Sequence, residues 1–455
     1  MKNRGLKRLI LLCSAVTAFG AASGARVERM LVRQNWPWTT DVKVDYVLAD
    51  VTSPVDMQVR VSRGGTELTV PHGAVSGQIY GLSKDGAYSL TIDAAQLSGG
   101  TGSDIAVTLE MTDSPWNTDE EMYRIVDLSN GAVKTLTCGD ILSGEYGTYE
   151  TSFDFVGTTS LSPVLIWTGV TNDVKYMTTH LVLRKIPVAG VKHEIGTADK
   201  RHPVILSKDF WLGVFEVTQA QFQLMTGEAS GSAFRNPDCA ATRPAENFSY
   251  GALRGTTLGV NWVEGSDFAT AHKVDATSRI AAIRNRLKDD RYDLPSDAQW
   301  EVACRAGTLT THYTGSDLPS GTSATSAPEM LKPLARYKYN GGYCIGRDTT
   351  APEPDVATVD TTRGTARVGS YLPNAYGLYD VLGNVRELCL DWDSDWPTRE
   401  GVIEDPMGGP AAQRRQTCGA GWSSNGSDCR LQSRGVQHPS GSENFSGFRL
   451  CLTEE

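Results

Sequence analysis

One residue in ten is glycine, 46 of 455, against a background of roughly 7 %. Glycine takes positive φ at no steric cost, so a chain this rich in it is expected to be turn-rich. With 40 % apolar residues the chain can build cores, and with 21 % charged residues it is not disordered as a whole. At roughly 150 residues per domain, this length holds two or three domains. The formal net charge is −10. Nucleic-acid recognition requires a basic face, and no long basic run supplies one, so no nucleic-acid partner is expected.

Residues 1–24 read as a signal peptide outside the fold. Lys2, Arg4, Lys7 and Arg8 precede an apolar run from Leu9 to Phe19, and small residues follow up to Ala25, with cleavage expected after Ala22 or Gly24. About 11 apolar residues are too few to cross a bilayer that needs roughly 20. Leu12 stands where a small residue precedes a lipidated cysteine, so Cys13 is not read as a lipid anchor. The chain is therefore expected to be exported (periplasmic, cell-surface or extracellular) with no membrane span. Eight cysteines remain: Cys138, Cys239, Cys304, Cys344, Cys389, Cys418, Cys429 and Cys451. An oxidising compartment permits disulfides, but the sequence does not choose among about 105 pairings. There is no Cys-x-x-Cys pair and no zinc-type Cys/His spacing.

The amino-terminal half alternates with period two. Residues 42–48 (VKVDYVL), 57–63 (MQVRVSR), 88–92 (YSLTI) and 105–110 (IAVTLE) each put apolar and polar side chains on opposite faces. Arg63-Gly64-Gly65 and Lys84-Asp85-Gly86 are turn signals between such runs. This pattern predicts a β-sandwich over 25–112, resembling a fibronectin type III module, and a strand-rich connecting region over 113–187. Neither stretch holds a catalytic cluster, which reads as a spacer or docking region.

Five segments beyond residue 188 share one pattern. Residues 210–222 (FWLGVFEVTQAQF) give an apolar strand, Thr218 as a helix N-cap and an amphipathic helix. Residues 292–308 (YDLPSDAQWEVACRAGT) give a short helix begun by Pro295 and Ser296, with Trp300 and Ala303 facing inward and Gly307 as its stop. Residues 367–380 (RVGSYLPNAYGLYD) run into 381–392 (VLGNVRELCLDW). The last segment is Cys418-Gly419-Ala420-Gly421-Trp422, then Cys429-Arg430, then Gly447-Phe448-Arg449-Leu450. Together these resemble the formylglycine-generating enzyme family, or sulfatase-modifying factors, whose wording is EVT, LPTEAEWEYA, GLYDMxGNVWEW, GGSW and GFR in that order. The resemblance, over 188–455, implies an α+β variant of the C-type-lectin-like fold with little regular structure.

The resemblance also implies what an active member needs. Family members oxidise a substrate cysteine with O₂, using two Cu(I)-binding cysteines shortly after the GGS(Y/W) segment and that segment's serine. Here Gly421 stands at the serine, and the following stretch holds only Cys429, just before Arg430 and Arg434. Copper is accordingly not expected, because soft thiolates have no substitute in Ser or Asn. Cys418 and Cys429 remain the two weak catalytic candidates, with a structural disulfide between them or buried free thiols as the alternatives. A second branch of the fold holds iron through a His-x-x-x-His-x-Glu motif. None of the seven histidines has that spacing.

Calcium is the metal the resemblance implies. One family site maps to the side chains of Asp380 and Glu387 with the carbonyls of Gly383 and Val385. The other maps to Asn340, the carbonyl of Gly341, Asp360 and the carbonyl of Thr362. Hard cations want such oxygen ligands. The competing reading has Asp380 capping a turn and Glu387 paired with a buried arginine such as Arg449. Trp396, Trp422, Tyr343 and Arg449 are the candidates for a binding face, with Trp392 and Trp422 also read as core. The expectation is a noncatalytic recognition module for a protein, peptide or glycan, with an active formylglycine-generating oxidase as the alternative.

Overall fold

The computed structural model describes residues 24–34, 38–71, 74–98, 105–152, 164–234, 240–255, 274–318, 329–339, 364–393, 401–406 and 412–454. All of the expected leader over 1–24 except Gly24, the cation set of Asn340, Gly341, Asp360 and Thr362, and the aromatics Tyr343 and Trp396 lie outside the described residues. The chain divides into two compact units. One is Met1–Glu120 with Thr137–Tyr149; the other is Glu121–Leu136 with Glu150–Glu455.

The first unit is built from β1 (Arg26–Gln34), β2 (Asp41–Ala49), β3 (Val55–Arg63), β4 (Thr66–Leu68), β5 (Val75–Gly77), β6 (Gly86–Asp93) and β7 (Ile105–Asp113). They form two sheets, ordered β1-β2-β6-β5 and β4-β3-β7. The period-two pattern is what makes this possible: Val42, Val44, Tyr46 and Leu48 of β2 and Ile105, Val107, Leu109 and Met111 of β7 enter one shared core, while their neighbours face out. Between β3 and β4, Arg63 pairs with Thr66, and both turn residues, Gly64 and Gly65, have positive φ. A two-residue turn of this hand requires that conformation, and glycine supplies it.

The second unit mixes many short strands with few helices. A six-stranded sheet is ordered β16-β22-β15-β12-β8-β9, from β8 (Glu121–Asp127), β9 (Val133–Thr137), β12 (His180–Ile186), β15 (Phe210–Gly213), β16 (Tyr292–Asp293) and β22 (Cys451–Thr453). A four-stranded sheet is ordered β20-β19-β17-β21, from β17 (Arg386–Trp392), β19 (Arg415–Cys418), β20 (Arg434–Gln437) and β21 (Ser446–Gly447). Smaller sheets join β10 (Glu150–Ser152) to β11 (Val164–Ile166), and β13 (Lys192–Thr197) to β14 (Lys200–Ile205) and β18 (Ile403–Glu404). The stretch 113–187 is therefore not a separate connector. Its strand β12 is buried on both faces and pairs with β8 on one side and β15 on the other, so the boundary expected at 188 falls inside a sheet.

The helices are short: α1 (Cys138–Leu142) in the first unit, then α2 (Gln219–Thr226), α3 (Tyr250–Arg254), α4 (Arg279–Leu287) and α5 (Asp297–Arg305) in the second. Thr218 caps α2 and Ser296 caps α5, each in a capping box with the glutamine three residues on, Gln221 and Gln299. Two apolar cores result. One gathers Trp300, Ala303, Cys304, Leu378, Cys389 and Cys418; the other gathers Trp211, Phe222, Phe248, Leu388, Leu390 and Phe448.

Candidate functional site

Strand β17 separates those two cores. Its side chains alternate, so Leu388 and Leu390 enter one core while Cys389 enters the other, on the face that also carries Glu387 and Asp391. An acid, a thiol and an acid thus follow one another along a buried face, and each has a different partner.

At the start of the strand, Glu387 is neutralised. Arg449 is fully buried and donates to both Glu387 oxygens, from Nη2 at 2.8 Å and from Nε at 3.0 Å. Its remaining donors reach the carbonyls of Gly213 (2.7 Å), Val214 (2.9 Å) and Tyr379 (2.9 Å). The indole of Trp300 also donates to Glu387, at 2.8 Å. Three of the family-like segments are tied at this one guanidinium, and its charge is what makes a buried carboxylate there tolerable.

Two further carboxylates lie in the same cluster. Glu216 accepts from the Val385 amide at 3.0 Å and from Asn384 Nδ2 at 2.6 Å. Burial, with Asp380 and Glu387 nearby, holds it well above the ordinary glutamate range. Asp380 accepts from the Gly369 amide at 2.6 Å, while its Oδ1 is buried with no hydrogen-bond partner among the described residues. Burial pushes Asp380 up to about 7. The turn between them is rigid: Asp380 and Asn384 have φ of 62° and 69°, and a Cβ at Gly383 would meet the Arg336 carbonyl at 2.3 Å. Asp380 and Glu387 thus share a cluster, as the sequence suggested. Glu387 is paired with Arg449, and Asp380 Oδ1 has no hydrogen-bond partner among the described residues.

At the far end of the strand, the charges are arranged differently. Asp391 accepts from the Asp297 amide at 2.7 Å, and its Oδ1 has no partner among the described residues. Burial and the Asp297 carboxylate push it up to about 7. Arg434 bridges Asp297 and Glu301, and Glu301 also pairs with Arg305 at 2.6 Å. Arg415 stacks on Trp392 at 3.5 Å and on Tyr250 at 4.2 Å, which places Trp392 in the interior.

Between these ends lie the thiols. Cys418 Sγ is 3.2 Å from Cys389 Sγ and 3.4 Å from Asp297 Oδ1. The sequence set Cys418 against Cys429, but the sulfur of Cys429 faces the Asn425 carbonyl at 3.7 Å, and its carbonyl faces His312 Nε2 at 3.0 Å. All three thiols are buried, and burial raises each above the ordinary cysteine range. None is a ready nucleophile or a ready soft ligand.

The segment after β19 is closed by packing. A Cβ at Gly421 would lie 2.9 Å from Phe445 Cβ and 3.0 Å from its carbonyl oxygen, so a serine there displaces its neighbours. The Gly421 amide instead donates to Ser424 Oγ at 3.0 Å. The cysteine of this segment is Cys429, and it is buried. Two binding-face candidates are corrected as well. Arg449 is consumed by the Glu387 cluster. Trp422 is 7 % exposed, donates to the Asn444 carbonyl at 3.0 Å and packs edge-on against Phe234.

A surface cleft of about 220 Å³ lies beside α2, lined among others by Phe222, Asn247, Phe248, Ser249, Arg279 and Ser440. That is smaller than the roughly 300 Å³ at which ligand pockets begin. Glu216, Asn384, Cys389 and Asp391 were not singled out by the sequence. Their signal was present: each is a polar or reactive residue inside an apolar run, which folding tolerates only with an internal partner.

Residues 173–454 match the model of the sulfatase-modifying factor enzyme 1-like domain family. The formylglycine-generating enzyme of Thermomonospora curvata is 34 % identical over 164 residues, covering 35 % of this chain and 48 % of that protein. The one from Bos taurus is 26 % identical over 268 residues, covering 53 % and 65 %. The alignments thus span about half to two thirds of the length of these curated relatives. Among solved structures, Treponema denticola variable protein 1 gives a TM-score of 0.42 at 23 % identity, covering 61 % of this chain and 96 % of that one. PvdO from Pseudomonas aeruginosa gives 0.39 at 19 %, covering 60 % and 94 %. The run of segments that meets at Arg449 and β17 lies within the matched stretch, and the chain belongs to the sulfatase-modifying factor enzyme 1-like family.

Proposed function

We propose that this chain is an exported, noncatalytic recognition module, a C-type-lectin-like scaffold that binds a protein, peptide or glycan. The single observation that supports this most is the packing of Phe445 against Gly421, at 2.9 Å from where a Cβ would stand. It crowds the position to which the resemblance assigns the serine of active members, in a segment whose only cysteine is the buried Cys429. Function follows from the site and not from the fold that carries it. The competing reading, an active formylglycine-generating oxidase, draws on the 34 % identity to an enzyme of that name.

A cysteine-containing sulfatase peptide incubated with the purified chain, Cu(I) and O₂ separates the two. The module leaves the peptide thiol intact by mass. Conversion of that thiol to an aldehyde, with loss of its sulfur, establishes the oxidase.

A further inference from the structure

We infer that Cys389 and Cys418 become joined by a disulfide when the chain folds in an oxidising compartment, clamping β17 to β19. The inference rests on the export proposed above for its setting, and on two geometric observations for its chemistry.

The sulfurs are 3.2 Å apart, both are fully buried, and the residues are 29 apart in sequence. Cys429 Sγ faces the Asn425 carbonyl at 3.7 Å and Cys451 Sγ faces Gln299 Oε1 at 3.8 Å, whereas the sulfur 3.2 Å from Cys389 is that of Cys418. The second observation is the register. Glu387 lies opposite Cys418 and Leu388 opposite Thr417, after which the ladder slips until Trp392 meets Arg415. Cys389 is the first residue beyond the regular pairing, on the same face as Glu387 and one diagonal step from Cys418. A bulge leaves its residues outside the ladder and bends the strand. The closing of the sulfurs to a bonded ~2.05 Å thus falls where the backbone of β17 is least tied to its neighbour.

The oxidant is a disulfide, either glutathione disulfide or that of a thiol-exchange protein. One cysteine thiolate attacks it and expels a thiolate. The other cysteine thiolate then attacks the mixed disulfide and expels the second. Two electrons and the two thiol protons leave with the oxidant, which departs as two thiols, and one S–S bond remains in the protein. Exchange belongs to the folding chain, because burial in the finished fold disfavours the thiolate.

The test refolds the full reduced chain in a glutathione redox buffer, alkylates residual thiols under denaturing conditions and digests with trypsin. This keeps the disulfide separable from export, which is read independently by fractionation. Cys389 falls in peptide 387–399, and Cys418 falls with Cys429 in peptide 416–430. The expected product joins these peptides, two hydrogens lighter than their sum, with fragment ions placing the bond on Cys418 and alkylation on Cys429. The oxidised chain is expected to melt about 5–10 °C above a Cys389→Ala/Cys418→Ala variant. Alkylation of both Cys389 and Cys418 in the folded oxidised protein overturns the inference. So does a bond from Cys418 to Cys429, or one copper ion held by the two thiols in place of the bond.

Discussion

The two ends of strand β17 bury acids by opposite means. Glu387 receives a guanidinium and an indole N–H, with Arg449 at 2.8 and 3.0 Å and Trp300 at 2.8 Å. Four residues on, Asp391 receives one backbone amide and faces another carboxylate, so one of its oxygens is left without a partner among the described residues. The first end is a fixed joint that ties distant segments together. The second is a group whose charge depends on pH, and the thiol pair lies between the two. Arg434 and Arg415 also act on Asp391, but neither is paired with it among the described residues, so burial and Asp297 prevail. A buried acid is structural when its counter-charge is hydrogen-bonded to it, and titratable when the charge is only nearby.

The largest test of that contrast is removal of the joint. Arg449→Met leaves Glu387 buried without its cation and is expected to cost about 3–5 kcal/mol in chemical denaturation. A loss under 1 kcal/mol would mean that the joint does not hold the fold.

The opposite sign is expected at the other end. Asp391 titrates near 7 in the folded protein and near 3.8 when unfolded. Below pH 3.8 both states are protonated and the group costs nothing. As pH rises from about 4 to 7 the unfolded state ionises first, so the stability of the wild type falls relative to Asp391→Asn. The variant is expected to be more stable by about 1–3 kcal/mol at pH 8 and equal at pH 4. A variant that is less stable at pH 8 would place a working counter-charge at this end too.

Gly421→Ser returns the serine that active relatives have. Because its Cβ meets Phe445, the change is expected to cost about 1–3 kcal/mol and to give no peptide oxidation. The smallest expected effect is that of a chelator. Calcium held by either of the two sets that the resemblance implies would make excess chelator lower the melting midpoint, because a ligand bound only to the folded state stabilises it. An unmoved curve removes both sets.

Much of this was legible in the sequence where the information is local. The period-two strands of the first unit, the caps at Thr218 and Ser296, and the five ordered segments all landed where the residues placed them. The pairing of Glu387 with Arg449 was one of two readings left open, because a carboxylate and an arginine 62 residues apart do not declare whether a cation comes between them. The Cys389–Cys418 contact was hidden by a register slip that spacing does not reveal. Arg449 and Trp422 each stood under two readings, interior and binding face, because residue type alone does not give burial; both are buried. The closure of Gly421 by Phe445 joins residues whose approach exists only after the four-stranded sheet has formed.

The most direct measurement of the central claim is the copper content of the purified chain after Cu(I) is offered against a competing chelator of known strength. A scaffold without an accessible thiolate pair in its closing segment leaves the metal with the competitor. Tight retention of one copper per chain, lost on Cys429→Ser, would contradict that account.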